Sequence, residues 1–351
     1  MYQVKTLVAF AALVMVGVGG AQKVQRAGVN IAGFDFGMTI DGNFTQSQMV
    51  PPLKSQGGPD GIGQMQHFAK GDSLNIFRLP VAWQYLVNYK LGGSLDSNNM
   101  NVYNELVQGC LGTGALCIID IHNYARWYQG IVGQGGVTNQ DLTSLWSQLA
   151  SRYKGNSNIV FGLMNEPHDL NINTWAATVQ ACVTAIRQAG ATSQIILLPG
   201  DHFTAVGGFS TGSGPALVGV HNLDGSKTNL VFDVHQYLDS DSSGTHTECT
   251  HNGVDNLQTL ATWLKSNGRM ALLSETGGGN TASCQTDVCA ELDWMNYHND
   301  VYLGWVAWAA GSFESGVFSG HTYELDLVPA YANGKWTDKP LVSSCVAGKF
   351  H

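Results

Sequence analysis

The chain has 351 residues, of which 12% are charged, and its formal net charge at neutral pH is −9. Charged residues usually make up about 25% of a soluble domain, and this acidic balance argues against a nucleic-acid partner, which needs a basic surface. We therefore expect a protein that acts on a neutral or weakly charged molecule.

The first residues follow the pattern of a secretory signal. Lys5 precedes an apolar run over Leu7–Val18, and small residues follow at 19–21. A basic start, a short apolar segment and a small-residue cleavage site define such a signal. We predict a signal peptide over residues 1–21 and a secreted, extracellular protein over 22–351. The run is short for a membrane span, which needs about 20 apolar residues, so we expect no membrane attachment.

Eight short apolar runs follow, each ending at a polar or glycine-rich corner. They occupy residues 29–36, 74–81, 116–123, 158–166, 194–200, 230–237, 271–277 and 303–311. Helix-like patterns lie in several of the gaps, at residues 101–112, 140–153, 174–189 and 254–267. Strands that alternate with helices in this way predict an α/β protein, a single (β/α)8 TIM barrel.

An open, doubly wound sheet is the alternative architecture. No G-x-G-x-x-G motif follows the first run, so dinucleotide binding is unsupported and we expect no cofactor. No proline-, serine- or threonine-rich linker separates a second module. We expect residues 22–351 to form one catalytic domain without a separate carbohydrate-binding module.

Two of the apolar runs end on a glutamate. The run at 158–166 stops on Asn165 and Glu166, just before Pro167, and the run at 271–277 contains Glu275 followed by glycines. Pro167 cannot donate to a sheet ladder and disfavours helical dihedrals at the residue before it. A carboxylate at the end of a buried strand is costly unless it is needed. Two such carboxylates indicate paired-carboxylate chemistry.

A TIM barrel carries its chemistry at the C-terminal ends of its strands. Each polar or aromatic residue there has an ordinary structural explanation on its own, but together on one face they indicate an active site. These residues are Arg78, His122, Asn123, Asn165, Glu166, His235, Tyr237, Glu275 and Trp308.

Seven cysteines are present, and in an exported chain most should form disulfides, with at least one left over. Cys182 is the natural unpaired one, because it lies on the apolar face of a helical pattern, where a thiol behaves as a small hydrophobe. A metal site of His246, Cys249 and His251 matches no standard zinc spacing, so we expect a disulfide at Cys249 and no metal. Asn43 begins an N-glycosylation sequon.

Four segments resemble glycoside hydrolase family 5, the secreted cellulase family. NIVFGLMNEPH at 158–168 is similar to its acid/base segment, and ETGGGN at 275–280 to its nucleophile segment. DIHNYARW at 120–127 and IFRLP at 76–80 resemble its third-strand and second-strand segments. The stretches GGPDGIGQMQHF, NTWAATVQ and DGSKTNLVFDVHQYLDSD are similar to the filamentous-fungal endo-β-1,4-glucanase branch. The resemblance extends from about Gly28 to the C-terminus.

The resemblance implies that Glu166 is the general acid/base and Glu275 the nucleophile of a retaining endo-β-1,4-glucanase. Retention needs one protonated and one ionised carboxyl group about 5–5.5 Å apart, with environments that separate their pKa values. The residues that match the family's active-site support are Arg78, His122, Asn165, His235 and Tyr237. Trp308 is expected to stack on a sugar ring, and flanking subsites are expected at Trp83, Tyr124, Trp127 and Phe203.

The resemblance also implies the disulfides and two departures from the branch. The implied pairs are Cys110–Cys117, Cys249–Cys284 and Cys289–Cys345, which leaves Cys182 free. A disulfide of the first barrel loop is replaced by Met38 and Phe44. After the fifth strand the branch usually has an Asn and a Trp, whereas this chain has Gly200 to Phe203, which puts one aromatic platform in doubt.

We expect an endoglucanase that acts as a monomer on β-glucan, and several alternative functions remain. Within the family they are a mannanase or a mixed-linkage β-glucanase. Outside it they are an inactive sugar-binding barrel, disfavoured by two intact carboxylates, and a serine esterase using Ser210 in a G-x-S-x-G motif. That motif needs a strand before it and a helix after it, and the surrounding sequence is typical of a loop.

Overall fold

The computed structural model describes residues 23–313 and 325–351. The signal peptide predicted over 1–21 lies outside the described residues. Among the helices that are described, none has the length and apolar character to span a bilayer.

The strands within the described residues are β1 Arg26–Ala32, β2 Ile76–Val81, β3 Leu116–Ile121, β4 Arg126–Trp127, β5 Gly130–Ile131, β6 Ile159–Gly162, β7 Ile195–Pro199, β8 Leu230–Tyr237, β9 Ala271–Gly277, β10 Tyr302–Gly311, β11 Ala330–Ala332 and β12 Lys335–Thr337. Eight of them form a closed barrel in which all neighbours are parallel, in the order β1-β10-β9-β8-β7-β6-β3-β2. The TIM barrel prediction is confirmed, and closure rules out the open sheet.

The helices surround the barrel. They are α1 Gly61–Gly71, α2 Trp83–Leu86, α3 Ser97–Leu111, α4 Asn139–Tyr153, α5 Ile172–Gln188, α6 Ser213–Leu217, α7 Val254–Asn267 and α8 Ala282–Asn296. Several of them begin at side-chain caps: Asp96, Thr138, Asn171 and Thr281 each accept hydrogen bonds from the first turn of α3, α4, α5 and α8. Such caps satisfy amide groups that have no partner within the helix.

Apolar side chains fill two regions, as expected for strands buried on both faces. A small cluster contains residues from seven barrel strands, including Ile118, Val160 and Val306, and a larger one joins the strands to the helices. Polar residues replace apolar ones further along the same strands, where Arg78 and Asp120 are fully buried. The sequence therefore positions a polar layer above an apolar one inside the barrel.

Three disulfides join Cys110 to Cys117, Cys249 to Cys284 and Cys289 to Cys345, which are the pairs that the resemblance implied. Cys182 is buried in α5 without a disulfide, and burial raises the pKa of its thiol. In the first barrel loop, Met38 and Phe44 form an isolated antiparallel bridge. Phe44 is buried, so backbone pairing and packing tie this loop, in which the resemblance implied that a disulfide is replaced.

The C-terminal segment is tied to α1 by a cluster of His67, Asp72 and Asp338. His67 Nε2 lies 2.7 Å from Asp338 Oδ1 and 3.7 Å from Asp72 Oδ2. Burial, and then the negative charge of Asp338, raise the pKa of Asp72 to about 6 against the opposing influence of His67. A carboxyl group with a raised pKa prefers to be protonated in the folded state, so its ionisation destabilises the fold.

Asp72→Asn is expected to stabilise the protein at neutral pH and to do so much less at pH 4. Below its ordinary pKa, Asp72 is protonated in both folded and unfolded chains and carries no penalty. The penalty grows as pH rises from there through about 6 and then stays constant. We expect the unfolding free energies of variant and parent to diverge by about 2 kcal/mol between pH 4 and 7.5. Urea unfolding at both pH values measures this, and a pH-independent difference would contradict it.

Candidate active site

Glu275 lies near the C-terminal end of β9, almost completely buried. Arg78 Nη1 donates to Glu275 Oε1 at 2.5 Å, and the Tyr237 hydroxyl donates to Oε2 at 2.8 Å. Burial alone would raise the pKa of Glu275, but the charges of His235 and Arg78 and the Tyr237 hydrogen bond outweigh burial and lower it. The site therefore holds Glu275 as a carboxylate, the form that a nucleophile requires.

Arg78 is the fully buried cation beneath this carboxylate. Its Nη2 donates to Asn165 Oδ1 at 2.7 Å and lies 3.0 Å from Asp120 Oδ1. Burial would lower the pKa of Arg78, but Asp120 and Glu275 outweigh burial and raise it. The planar guanidinium thus stays charged and ties together residues from β2, β3, β9 and the end of the β6 segment.

Glu166 faces Glu275 across the mouth of the barrel. One oxygen of Glu166 lies within 4.8 Å of one oxygen of Glu275, and Glu166 Oε1 lies 2.8 Å from His235 Nδ1. The side chain of Glu166 is 16% exposed, against 5% for Glu275. The more accessible carboxyl group is thus the one that can meet water, and the separation matches the short spacing of retaining glycosidases.

The backbone before Glu166 differs from the prediction. Strand β6 ends at Gly162, so the predicted run to residue 166 was too long. Pro167 favours an extended conformation in the residue before it, yet Glu166 has φ +42°, in the left-handed region. Such strained residues persist where the surrounding structure holds them, often at functional sites.

A hydrogen-bonded relay leads from Glu166 into the barrel. His235 Nε2 lies 2.9 Å from the Ser274 hydroxyl, which donates in turn to Asp233 Oδ1. Because that hydroxyl proton goes to Asp233, Nε2 must carry a proton and donate to Ser274. Burial would lower the pKa of His235, but Glu275 and Glu166 outweigh it and raise the pKa. The contact of His235 Nδ1 with Glu166 thus links the acid/base candidate to this buried relay.

The second histidine orients Asn165. His122 Nδ1 lies 2.9 Å from Asp120 Oδ2, and its Nε2 lies 3.2 Å from Asn165 Nδ2. Burial would lower the pKa of His122, but the hydrogen bond and charge of Asp120 raise it. With Arg78 bound to its oxygen, the Asn165 amide is fixed from both sides and keeps one N–H for a ligand.

Asp120, Asp233 and Ser274 also belong to the site, although they were not predicted from the sequence. A usable signal was present for the two aspartates, because each stands two residues before a site histidine, in DIH and in DVH. Alternate residues of a strand face the same side, so each aspartate lies beneath its histidine. Ser274 had no such signal. It faces the barrel because the register between β8 and β9 shifts beside it.

Ser274→Ala is expected to lower kcat about 10-fold, because His235 loses the acceptor that orients it toward Glu166. Asp233 also loses its Ser274 donor, which costs about 1–3 kcal/mol of stability. Steady-state kinetics and urea unfolding measure both effects. Thr178→Val is the control, since it removes a buried hydroxyl on α5 that bonds to Asn139. A Ser274→Ala enzyme with unchanged kcat would refute the orienting role.

Aromatic side chains surround the carboxyl pair. Trp308 stacks on His122 at 5.5 Å between ring centres and 17° between planes. Tyr124 contacts His122 edge-on, and burial followed by the charges of Glu166 and Glu275 raises the pKa of its phenol. Trp308 and Tyr124 thus lie at the site as predicted from the sequence.

Phe203 lies on the Glu166 side of the site. It is 40% exposed and stacks on His168 at 4.4 Å and 12°. It also lines a cavity of about 120 Å³ that contains Glu166, His235 and Tyr237. The position doubtful from sequence therefore does present an aromatic face beside the acid/base candidate.

The assignment of Trp83 to a flanking subsite was wrong. Trp83 is fully buried and packs edge-on against Trp127, 5.1 Å away. It cannot contact a ligand because other side chains cover its ring. Trp127 retains 7% exposure, so Trp83 supports Trp127 from beneath. The sequence could not distinguish these two tryptophans, because both follow a barrel strand closely.

The rejected chemistries find no support. Cys249 is in a disulfide, which removes it from a metal site with His246 and His251. Ser210 lies in a turn well after β7 and before α6, not on the strand–turn–helix elbow that G-x-S-x-G requires.

The chain is similar in sequence to known proteins. The family model described as Cellulase (glycosyl hydrolase family 5) matches residues 29–311. Endoglucanase EG-II of Hypocrea jecorina is 60% identical over 332 residues, which cover 93% of this chain and 78% of that protein. Endoglucanase 1 of Saitozyma flava is 48% identical over 304 residues, or 86% and 84% of the two chains.

The fold of this chain is also similar to solved structures of endoglucanases. The crystal structure of Cel5A (EG2) from Hypocrea jecorina (Trichoderma reesei) matches with a TM-score of 0.89 and 60% identity, over 93% of this chain and 99% of that one. XacCel5A in complex with cellopentaose matches with a TM-score of 0.79 and 29% identity, over 93% and 99% of the two chains.

Proposed function

The chain belongs to the cellulase family, glycosyl hydrolase family 5, and is an endoglucanase; we propose that it cleaves internal β-1,4-glucosidic bonds with Glu275 as nucleophile and Glu166 as acid/base. The observation that carries this assignment is the pairing of a buried, Arg-bound carboxylate with a more exposed carboxyl group within 4.8 Å. A spacing this short is typical of retaining rather than inverting glycosidases, so we expect the β configuration to be retained.

In the first step, the Glu275 carboxylate attacks the anomeric carbon as Glu166 gives its proton to the leaving oxygen. Arg78 and Tyr237 keep Glu275 ionised and fix the direction of its oxygens. The hydrogen bond to His235 holds Glu166 in position. The remaining N–H of Asn165 suits the sugar 2-hydroxyl, an interaction that strengthens in the transition state.

In the second step, Glu166 takes a proton from water, which hydrolyses the glycosyl-enzyme bond. Glycosylation turns the Glu275 carboxylate into a neutral ester, so the negative charge beside Glu166 in the free enzyme is absent from the intermediate. Glu166 then acts as the general base toward the incoming water.

Glucan binds along the aromatic groups in this proposal. Trp308 stacks under the sugar at the cleaved bond, Tyr124 and the exposed edge of Trp127 flank it, and Phe203 supports the leaving-group side beside the 120 Å³ cavity. XacCel5A was solved with cellopentaose, which supports a chain of several glucose units as ligand. We propose a β-glucan substrate and no nucleic-acid or membrane partner.

The test is the stereochemistry of the first product. Cellopentaose hydrolysis followed by proton NMR should give the β-anomer before mutarotation, and a first product with the α configuration would overturn the proposal. Initial rates on carboxymethylcellulose, barley β-glucan and mannan should rank the β-glucans above mannan. A preference for mannan would favour the mannanase alternative.

We further propose a secreted monomer that loses residues 1–21, forms one catalytic domain over 22–351, and carries glycan at Asn43. The partial exposure of Asn43 in the first barrel loop supports glycan access. N-terminal sequencing of the exported protein tests the cleavage. Mass before and after glycosidase treatment tests Asn43, and size-exclusion chromatography with light scattering tests the monomer.

A further inference from the structure

Glu291 on α8 is a fully buried carboxyl group outside the barrel. Its Oε1 accepts a hydrogen bond from Gln236 Nε2 at 2.7 Å, and its Oε2 accepts one from the Thr276 hydroxyl at 2.7 Å. The two donors belong to different strands, Gln236 to β8 and Thr276 to β9. One side chain thus bridges two neighbouring barrel strands from behind.

The two donors directly follow two residues of the active site. The strand register pairs His235 with Glu275, and Gln236 with Thr276. Successive residues of a strand face opposite sides. His235 and Glu275 therefore face the barrel mouth, whereas the next residue on each strand faces the helix layer and Glu291.

The ladder between the two strands is irregular just below this point. The register shifts between Val234 and His235, and Ser274 and Glu275 both bond to groups inside the barrel. A bulge of this kind bends a strand and disrupts its hydrogen bonds locally. The position of His235 relative to Glu275 along the two strands therefore depends on contacts beyond regular strand pairing.

Helix α8 is a rigid base for such support. Cys284 and Cys289 join it covalently to Cys249 and Cys345, and Thr281 caps its first turn. Burial raises the pKa of Glu291 to about 7, against the hydrogen bonds from Thr276 and Gln236. A carboxyl group is unfavourable in such surroundings, unless its two acceptors are needed.

We infer that Glu291 is a positioning residue for the catalytic pair: its carboxyl group holds the ends of β8 and β9 so that Glu275 stays within reach of His235 and Tyr237. The inference rests on the proposed roles of Glu166 and Glu275. A carboxyl group fits because it offers two acceptors in one plane. Gln236 Oε1 is buried without a hydrogen-bond partner in the described part of the chain, so this side chain depends on its Nε2 bonds to Glu291 and Gly253.

Glu291→Leu and Glu291→Gln test the inference, with Asn296→Ala as the matched control. Leucine removes both acceptors. Glutamine keeps one acceptor oxygen for Gln236. Its N–H₂ group can donate a hydrogen bond to the Thr276 hydroxyl oxygen. Asn296 is also buried on α8, but it bonds to Val24 and Lys349 near the chain ends. Each variant is assayed for kcat and KM on cellopentaose, for the pH profile of kcat/KM, and for Tm.

For Glu291→Leu we expect kcat to fall about 10- to 100-fold, because small misplacements of reacting groups have effects of that size. KM should change little, and the acidic limb of the pH profile should move to higher pH as Glu275 loses its contacts. Glu291→Gln should restore most of kcat. Asn296→Ala should lower Tm and leave kcat, KM and the pH profile unchanged.

A Glu291→Leu enzyme with lower Tm but parental kcat and pH profile would overturn the inference and leave Glu291 a merely structural residue. If Glu291→Leu does not fold, Thr276→Val removes one of the two links and should still lower kcat and move the acidic limb; unchanged values would then overturn it. Glu275→Gln in the same assay separates the two proposals. If Glu275→Gln is active, the proposed function fails; if it is inactive while the Glu291 and Thr276 variants match the parent, only the positioning role fails.

Discussion

Glu275→Gln is expected to lower kcat on carboxymethylcellulose by about 10⁴-fold, the scale at which loss of a catalytic group usually acts. Glutamine keeps the size of the side chain and can still bond to Tyr237, but it cannot form a glycosyl ester. The loss should be equally severe on an aryl cellobioside with an activated leaving group, because attack by Glu275 is needed whatever group leaves.

Glu166→Gln provides the matched comparison. An activated leaving group needs no proton, so the first step should survive in this variant and the second should become rate-limiting. Pre-steady-state kinetics should then reveal a burst of released phenol, and mass spectrometry a glycosyl adduct on Glu275. If Glu275→Gln gave the burst and Glu166→Gln did not, the roles of Glu166 and Glu275 would be reversed. An active Glu275→Gln enzyme would exclude the glycosidase assignment of this pair.

Arg78→Lys is expected to lower kcat about 100-fold, comparable to the loss of one preorganised electrostatic donor. Lysine keeps the charge, but its single ammonium group cannot contact Glu275, Asn165 and Asp120 at once, as the guanidinium does. Arg78 also helps to lower the pKa of Glu275. A weaker contact lets that pKa rise, so a larger fraction of Glu275 is protonated at low pH. The acidic limb of kcat/KM should therefore move to higher pH.

The pH profile of kcat/KM between pH 3 and 8 measures this shift. Arg187→Lys is the control, because Arg187 is also buried but contacts Asn222 and Ala191 on the outside of the barrel. It should lower Tm without moving either limb. An Arg78→Lys profile that overlays the parent would refute the electrostatic role of Arg78.

Much of the fold was predictable from local pattern. Parallel barrel strands are buried on both faces, so they are continuous apolar runs that stand out from amphipathic helices. The run 230–237 matches β8 and the run 271–277 matches β9 residue for residue. Strand ends were less reliable: β6 stops at Gly162, and Glu166, four residues later, has a left-handed backbone conformation.

The site was only partly predictable. The sequence by itself determined which carboxyl groups and histidines stand at the ends of barrel strands, because a period of two and the direction of the strands follow from local chemistry. Only the tertiary structure decided that Trp83 is covered while Phe203 is open, that Ser274 and Asp233 extend the relay behind His235, and that Glu291 reaches β8 and β9 from α8. These features depend on contacts between residues far apart in the chain and on the register shift between β8 and β9, and no local pattern records either.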